Sequence, residues 1–183
     1  YAKDTAHAYY FGYHNDLYNG IHQIPCLVAS FIPLTYPYAK DAASVFYLYN
    51  KISEADLATF SIIGNGFSKD KAHVYSTTKI LQGADPATFV LLPYDSGSLD
   101  EYFYSKDKVH AFWKNKMFDV ADIAAFKVLG LGYSTDGKHV YYHTNIVKEA
   151  DASTFTAYEY NHTEEDAKDA KNKYFEGKIA VEY

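Results

Sequence analysis

The sequence predicts an all-β fold: an array of about five to six short three-stranded repeat units in a curved, solenoid-like meander, with a closed propeller-like arrangement as the alternative. Three observations predict it. One phrase, aromatic-x-Lys-Asp followed by a strand-like run, recurs along the chain. A second phrase, Ala-Asp-x-x-Thr-Phe, follows most of its copies. Between them strand-forming residues dominate, with 20 Tyr and 12 Phe in 183 residues.

The first phrase reads YAKDTAHAYY (1–10), YAKDAASVFY (38–47), FSKDKAHVYS (67–76), YSKDKVHAFW (104–113), YSTDGKHVYY (133–142) and, more loosely, DAKDAKNKYF (166–175). Its Asp falls at Asp4, Asp41, Asp70, Asp107, Asp136 and Asp169, in steps of 37, 29, 37, 29 and 33 residues. The second phrase reads ISEADLATF (52–60), ILQGADPATF (80–89), FDVADIAAF (118–126) and IVKEADASTF (146–155), with a worn version, IPCLVASF (24–31), after the first copy. The alternating 37 and 29 come from extra residues in unrelated places, 14–20 and 94–101, so the repeating unit is one copy and not a pair. The expectation is a single repeat domain over 1–183, with units starting near 1, 38, 67, 104 and 133 and a truncated one near 166.

Within a unit, Lys-Asp-Lys-Ala has turn chemistry, because an Asp side chain can bond the backbone two residues on. His73-Val74-Tyr75 then reads as a short strand, and a polar step such as Tyr142-His143-Thr144-Asn145 leads to a second one centred on the Ile. Ala84-Asp85-Pro86-Ala87-Thr88 reads as a helical turn capped by Asp85, with Pro86 at the first helical position. Phe89 follows as a core anchor and Val90-Leu91-Leu92 as a third strand. Copy four keeps only the Asp and the Phe (Asp122, Phe126), which marks cap and anchor as the essential pair. Three short strands cannot bury both faces alone, so copies must stack.

The two phrases together resemble the DKNYY family of bacterial repeat proteins over nearly the whole chain. Asp70-Lys71-Ala72-His73-Val74-Tyr75 and Asp136-Gly137-Lys138-His139-Val140-Tyr141-Tyr142 come nearest to the family's name. The resemblance implies bacterial origin and a repeat architecture, and it transfers no catalytic residue.

Composition narrows the function. Hydrophobic residues make up 48% and charged residues 22%, a globular balance. No apolar run approaches the roughly 20 residues that span a bilayer. The net charge is −6 and all 17 basic residues are Lys, so the chain lacks the guanidinium fork of nucleic-acid readers and repels polyanions. The single Cys26 reads as a small buried hydrophobe. The chain starts at Tyr1 inside a repeat, which is compatible with a removed leader and an extracytoplasmic setting, although the sequence leaves the compartment open.

No catalytic, cofactor-binding or metal-binding residue is assigned. Gly132 to His139 matches GxxxxGK of a phosphate-binding loop, but His139 stands where Ser or Thr should be and a strand follows where a helix is required. His7, His73, His110 and His139 share one repeat position, which Ser44 and Asn172 fill in other copies, so a polar turn residue explains them better than a metal row. The aspartates lack the acidic neighbours that a calcium shell needs. Glu164-Glu165-Asp166 is the one close carboxylate cluster, in a polar stretch that suits a turn or short helix, and Asn161-His162-Thr163 is a formal glycosylation sequon. The Tyr load reads as core, with a contact surface as the second reading.

The expectation is therefore a non-catalytic module that binds a protein partner, immunity-like in one version because its acidity suits a basic toxin. Self-association through edge strands and glycan binding on exposed Tyr are the alternatives. An enzyme reading would place its site in 14–20 or 94–101.

Overall fold

In a computed structural model, which describes residues 1–12, 20–93, 104–158 and 164–180, the chain forms six small antiparallel sheets, one per copy of the first phrase. Residues 14–19 of the insertion at 14–20, the insertion at 94–101 and the sequon at 161–163 lie outside the described residues. The described chain is all-β apart from single turns, one of which, Val28–Ser30, is a 3₁₀ turn.

The sheets bear out the all-β array of short repeat units, with three to four strands in each. The first has three strands, Ala2–Lys3, Ala8–Gly12 and Gly20–Ile24, and each of the other five has four. The fourth sheet is typical, running Val90–Leu91, Tyr104–Lys106, Ala111–Trp113 and Lys116–Phe118 in chain order. The structure adds one strand to those the sequence predicts and places another in a different sheet. The opening aromatic-Ser-Lys is itself a strand, with the Asp turn as its hairpin to the next: Tyr104 faces Trp113, and Lys106 faces Ala111. The aliphatic run after the Phe anchor does not close its own unit. It crosses over as the first strand of the following sheet, Val90 facing Lys106 and Leu91 facing Ser105. Each repeat thus lends a strand to its successor, which binds consecutive copies through backbone hydrogen bonds.

The hairpin turn after the second phrase strand is tight: Trp113 faces Lys116, leaving Lys114-Asn115 as its loop. Its first residue takes a left-handed backbone in every such copy, with φ of 55° at Leu48, 56° at Thr77, 53° at Lys114, 56° at His143 and 48° at Glu176. Of these residue types only His143 is one that favours that region. Only the last copy places a glycine beside it, Gly177.

Contacts divide the described residues into two units, Tyr1–Leu81 and Gln82–Tyr183. In the first, Ala8, Tyr10, Ile24, Phe31, Ala39 and Phe46 form one buried cluster, and Tyr38, Val45, Ile52 and Tyr75 form another. In the second, Tyr104, Ala111, Phe126 and Tyr141 pack together, as do Tyr133, Val140, Phe155 and Tyr174. Half of the described Tyr are core: Tyr10, Tyr38, Tyr75, Tyr104, Tyr133, Tyr141 and Tyr174 are buried and among the largest buried side chains.

Candidate interaction surface

The recurring Asp is the most heavily used side chain in each unit. In copy five the two oxygens of Asp136 have separate duties. Oδ1 accepts the backbone N–H groups of Lys138 (2.9 Å) and His139 (2.7 Å), closing the hairpin. Oδ2 accepts the N–H of Ala121 (2.6 Å) from the preceding copy and the Tyr141 hydroxyl (2.6 Å). The clasp to the preceding copy recurs: Asp41 receives the N–H of Leu27 (2.6 Å), Asp70 that of Asp56, Asp107 that of Asp85 and Asp169 that of Asp151 (each 2.9 Å). In copies three, five and six a Tyr five residues on adds its hydroxyl, while Phe46 and Phe112 hold that position in copies two and four.

The electrostatics follow from these bonds. Burial works to raise the Asp70 carboxyl, but bonds from Asp56, Tyr75, Ala72 and His73 outweigh it and hold it down at about 2. Asp107 and Asp136 are lowered against the same opposition of burial. Burial, then the bonded carboxylate, raises Tyr75 and Tyr141.

The second phrase is held at both ends. Asp85 caps its turn as the sequence suggests, accepting the Ala87 N–H (3.0 Å) and the Thr88 hydroxyl (2.7 Å). Thr88 Oγ1 in turn accepts the N–H of Lys108 (3.1 Å) in the next copy, as Thr59 does from Lys71 and Thr154 from Ala170. At the far end of copy four's turn, Lys106 donates to the carbonyls of Ile123 (3.0 Å) and Phe126 (3.2 Å). Tyr at the head of the first phrase adds another tie: the Tyr104 hydroxyl donates to the carbonyls of Gly132 (2.6 Å) and His143 (2.9 Å).

The other sequence candidates have plain positions. Each of the four His sits beside the Asp of its own turn, at 3.3 Å for His110 and 3.5 Å for His139, on separate hairpins. Among the described residues no three His, Cys, Asp or Glu side chains gather as metal ligands would. The segment matching a phosphate-binding loop runs into the strands Tyr133–Thr135 and Val140–Tyr142. The carboxylate cluster disperses: Glu165 pairs with Lys173 (2.8 Å), and Asp166 is buried, accepting the Tyr133 hydroxyl (2.6 Å) and the Glu176 N–H (2.8 Å). Burial raises the Asp166 carboxyl. The stretch at 164–172 holds the strand Ala167–Lys168 instead of a helix. Cys26 is partly buried against the first cluster, and burial raises its thiol.

What the fold leaves outside is apolar and periodic. In the second unit the last strand of each successive sheet presents one exposed aliphatic side chain at the same register: Met117 (45% exposed) opposite Phe112, Ile146 (55%) opposite Tyr141, and Ile179 (39%) opposite Tyr174. Exposed Lys116, Asn145 and Lys178 precede them. Sequence reading missed this row because it sought a surface in the Tyr residues. The sequence shows an aliphatic before or opening the second phrase at Met117 and Ile146, but not that it is exposed.

The chain was compared with known proteins. No curated protein and no solved structure matches it significantly. The model of the DKNYY family matches twice, over residues 1–116 and 38–178. Together these matches cover all six copies of the first phrase, and the chain belongs to the DKNYY family.

Proposed function

We propose that this protein is a non-catalytic β-repeat module that binds a protein partner. The observation that carries the reading is the row of Met117, Ile146 and Ile179, exposed at equivalent positions on successive edge strands of one unit. Extended arrays of repeats use such rows as binding faces. Further support comes from the recurring Asp, Thr and Tyr, whose polar atoms are engaged in holding one copy to the next. The net charge of −6 favours a basic partner, as an immunity-type protein would require.

The test is affinity capture from the host's lysate and medium, followed by titration of the purified partner. The expected result is saturable, salt-sensitive binding at fixed stoichiometry that Ile146→Glu weakens by about tenfold or more. Absence of any stoichiometric protein partner in clean captures would sink the reading. A second reading, self-association, is favoured by outer edges, such as that of Lys116–Phe118, which pair with no strand among the described residues. Light scattering that shows a concentration-independent monomer removes it.

A further inference from the structure

The second phrase ends on a Phe that four copies bury: Phe31, Phe89, Phe126 and Phe155 are at most 6% exposed. Phe60 of copy two is only half-buried. The other four each meet the ring at the ninth position of the next copy's first phrase. Centroids lie 6.3 Å apart for Phe31 and Phe46, 5.9 Å for Phe89 and Phe112, 6.5 Å for Phe126 and Tyr141, and 5.2 Å for Phe155 and Tyr174. Among the described residues Phe60 makes one ring contact, with Tyr38 of its own copy at 6.1 Å, and none with Tyr75.

The Lys of the first phrase departs from its pattern at the same place. Lys3 donates to the carbonyls of Val28 (3.3 Å) and Phe31 (3.1 Å), as Lys106 does to those of Ile123 and Phe126. Leu57 and Phe60 are the equivalent acceptors in copy two. Among the described residues, however, the Lys40 ammonium has no hydrogen bond or ion pair. Between these side chains a pocket of about 210 Å³ opens, lined by Leu34, Lys40, Val45, Leu57, Phe60 and Ile62, all within the unit Tyr1–Leu81. Five of the six are apolar, and Lys40 supplies the one charge.

Size and charge together define what such a pocket takes. A cavity of about 150 Å³ lined by Leu, Ile and Phe admits benzene, so this one has room for a single ring with a short arm. Small-molecule sites combine apolar walls with a few polar groups that fix orientation. An ammonium without a partner calls for an anion, because a charge-assisted bond to a carboxylate is about twice as strong as a neutral one. We infer that the pocket is a binding site for a small apolar monocarboxylate, its ring or branched chain held among Leu34, Leu57, Phe60 and Ile62 and its carboxylate accepting from the Lys40 ammonium. The site belongs to a different unit from the row of Met117, Ile146 and Ile179, and it goes beyond the reading of that row as a binding face without depending on it.

Phenylpropionate is the probe, titrated into the full chain and followed through backbone amide NMR shifts. The expected result is saturable one-to-one binding with a dissociation constant of about 1 mM or below, with the largest shifts at Leu57, Phe60 and Ile62. Lys40→Met keeps the aliphatic stem and removes the charge, and it should weaken binding about tenfold. Lys106→Met removes the same charge from a Lys that is already bonded, and it should leave the affinity unchanged. Phenylpropanamide has the same shape without the charge; wild type should bind it about tenfold more weakly than the acid, and Lys40→Met should bind the two alike. The comparison of acid with amide on wild type holds whether or not a variant folds. No saturable shifts, equal binding of acid and amide by wild type, or affinity unmoved by Lys40→Met overturns the site. A native protein partner captured in that case leaves the proposed function standing.

Discussion

Asp136 is the residue on which a copy depends most. Its side chain is 1% exposed and satisfies three backbone N–H groups and one buried hydroxyl. Asp136→Ala strands those donors, and each buried unpaired polar group costs about 1–3 kcal/mol. The expected loss is about 3–4 kcal/mol in urea denaturation, against about 1 kcal/mol for Tyr141→Phe, where donor and bond leave together. Phe46 and Phe112 already make that second replacement in copies two and four. A small loss for Asp136→Ala would refute the clasp. Acidity acts on the same atoms. Asp70 sits at about 2, below the ordinary carboxylate value, so its stabilisation is complete above pH 4 and drains away as pH falls towards 2. Asp166 is raised, so its contribution has the opposite sign and favours the fold at the acid end. Wild type is expected to lose denaturation midpoint between pH 4 and 2, and Asp70→Asn to lose less over that window. Copy four adds a natural compensation. Where other copies use Thr or Ser to accept an N–H from the next Asp turn, it has Ala125; the N–H of Gly137 bonds Thr135 Oγ1 (3.0 Å) instead, and Thr135 replaces the usual Lys. Thr135→Val should cost about 1 kcal/mol, and Ala125→Ser should restore most of it; independent, additive effects in the double-mutant cycle would disprove the exchange.

At the scale of the element, the tight hairpin turns carry the sharpest steric constraints. A Cβ on Gly177 would meet Tyr142 Cβ at 2.5 Å and Cγ at 2.8 Å, on a backbone with φ of 75°. Gly137 has a similar φ of 85°, but its nearest neighbour is the Ala125 Cβ at 3.8 Å. Gly137→Ala is therefore expected to cost about 1 kcal/mol for the left-handed backbone alone. Gly177→Ala must also displace Tyr142 and should lower the melting temperature by clearly more; equal shifts would mean that Tyr142 yields freely. These turns also mark where the sequence stopped being readable. The Asp cap and the Phe anchor were legible because copy four, which loses Pro and Thr, keeps both. The turn at Lys114, His143 or Glu176 was not, because its left-handed residue carries no Gly or Asn signal in most copies and is imposed by the strands it joins. The opening strand was hidden too, since Tyr104–Lys106 is only three residues long and runs straight into the turn chemistry of Asp107. The lent strand was read as a strand but assigned to the wrong sheet, because propensity describes a segment and not its neighbour. The surface row escaped for a related reason: exposure of Ile146 follows from its place on an edge strand, which no local pattern encodes.

For the whole chain, lending strands makes stability a matter of neighbours. Each copy is completed by the one before it through a strand, a clasp and a Phe, so the natural cuts are those that sever none of these. Leu81 and Gln82 mark such a place. The clasps at Asp41 and Asp70 draw their donors from Leu27 and Asp56, both within Tyr1–Leu81. Those at Asp107, Asp136 and Asp169 draw theirs from Asp85, Ala121 and Asp151, all within Gln82–Tyr183. The strand Val90–Leu91 that completes the fourth sheet also begins after the cut. A fragment of residues 82–183 retains three complete four-stranded sheets with every donor to their clasps, and it is expected to fold cooperatively by itself. A fragment starting at residue 94 keeps the same three phrases but removes the lent strand, the donor N–H of Asp85 and the Phe89 anchor from the fourth sheet. Hydrogen exchange decides between them. In the longer fragment the amides of Val109 and His110, which close the Asp107 hairpin, should stay protected as in the full chain. In the shorter one they should exchange fast while the amides of Lys138 and His139 in the fifth sheet remain slow. Equal protection of the Asp107 hairpin in both fragments would show that a copy can hold its turn without the segment lent by its predecessor, and the dependence of each unit on the one before it would have to be abandoned.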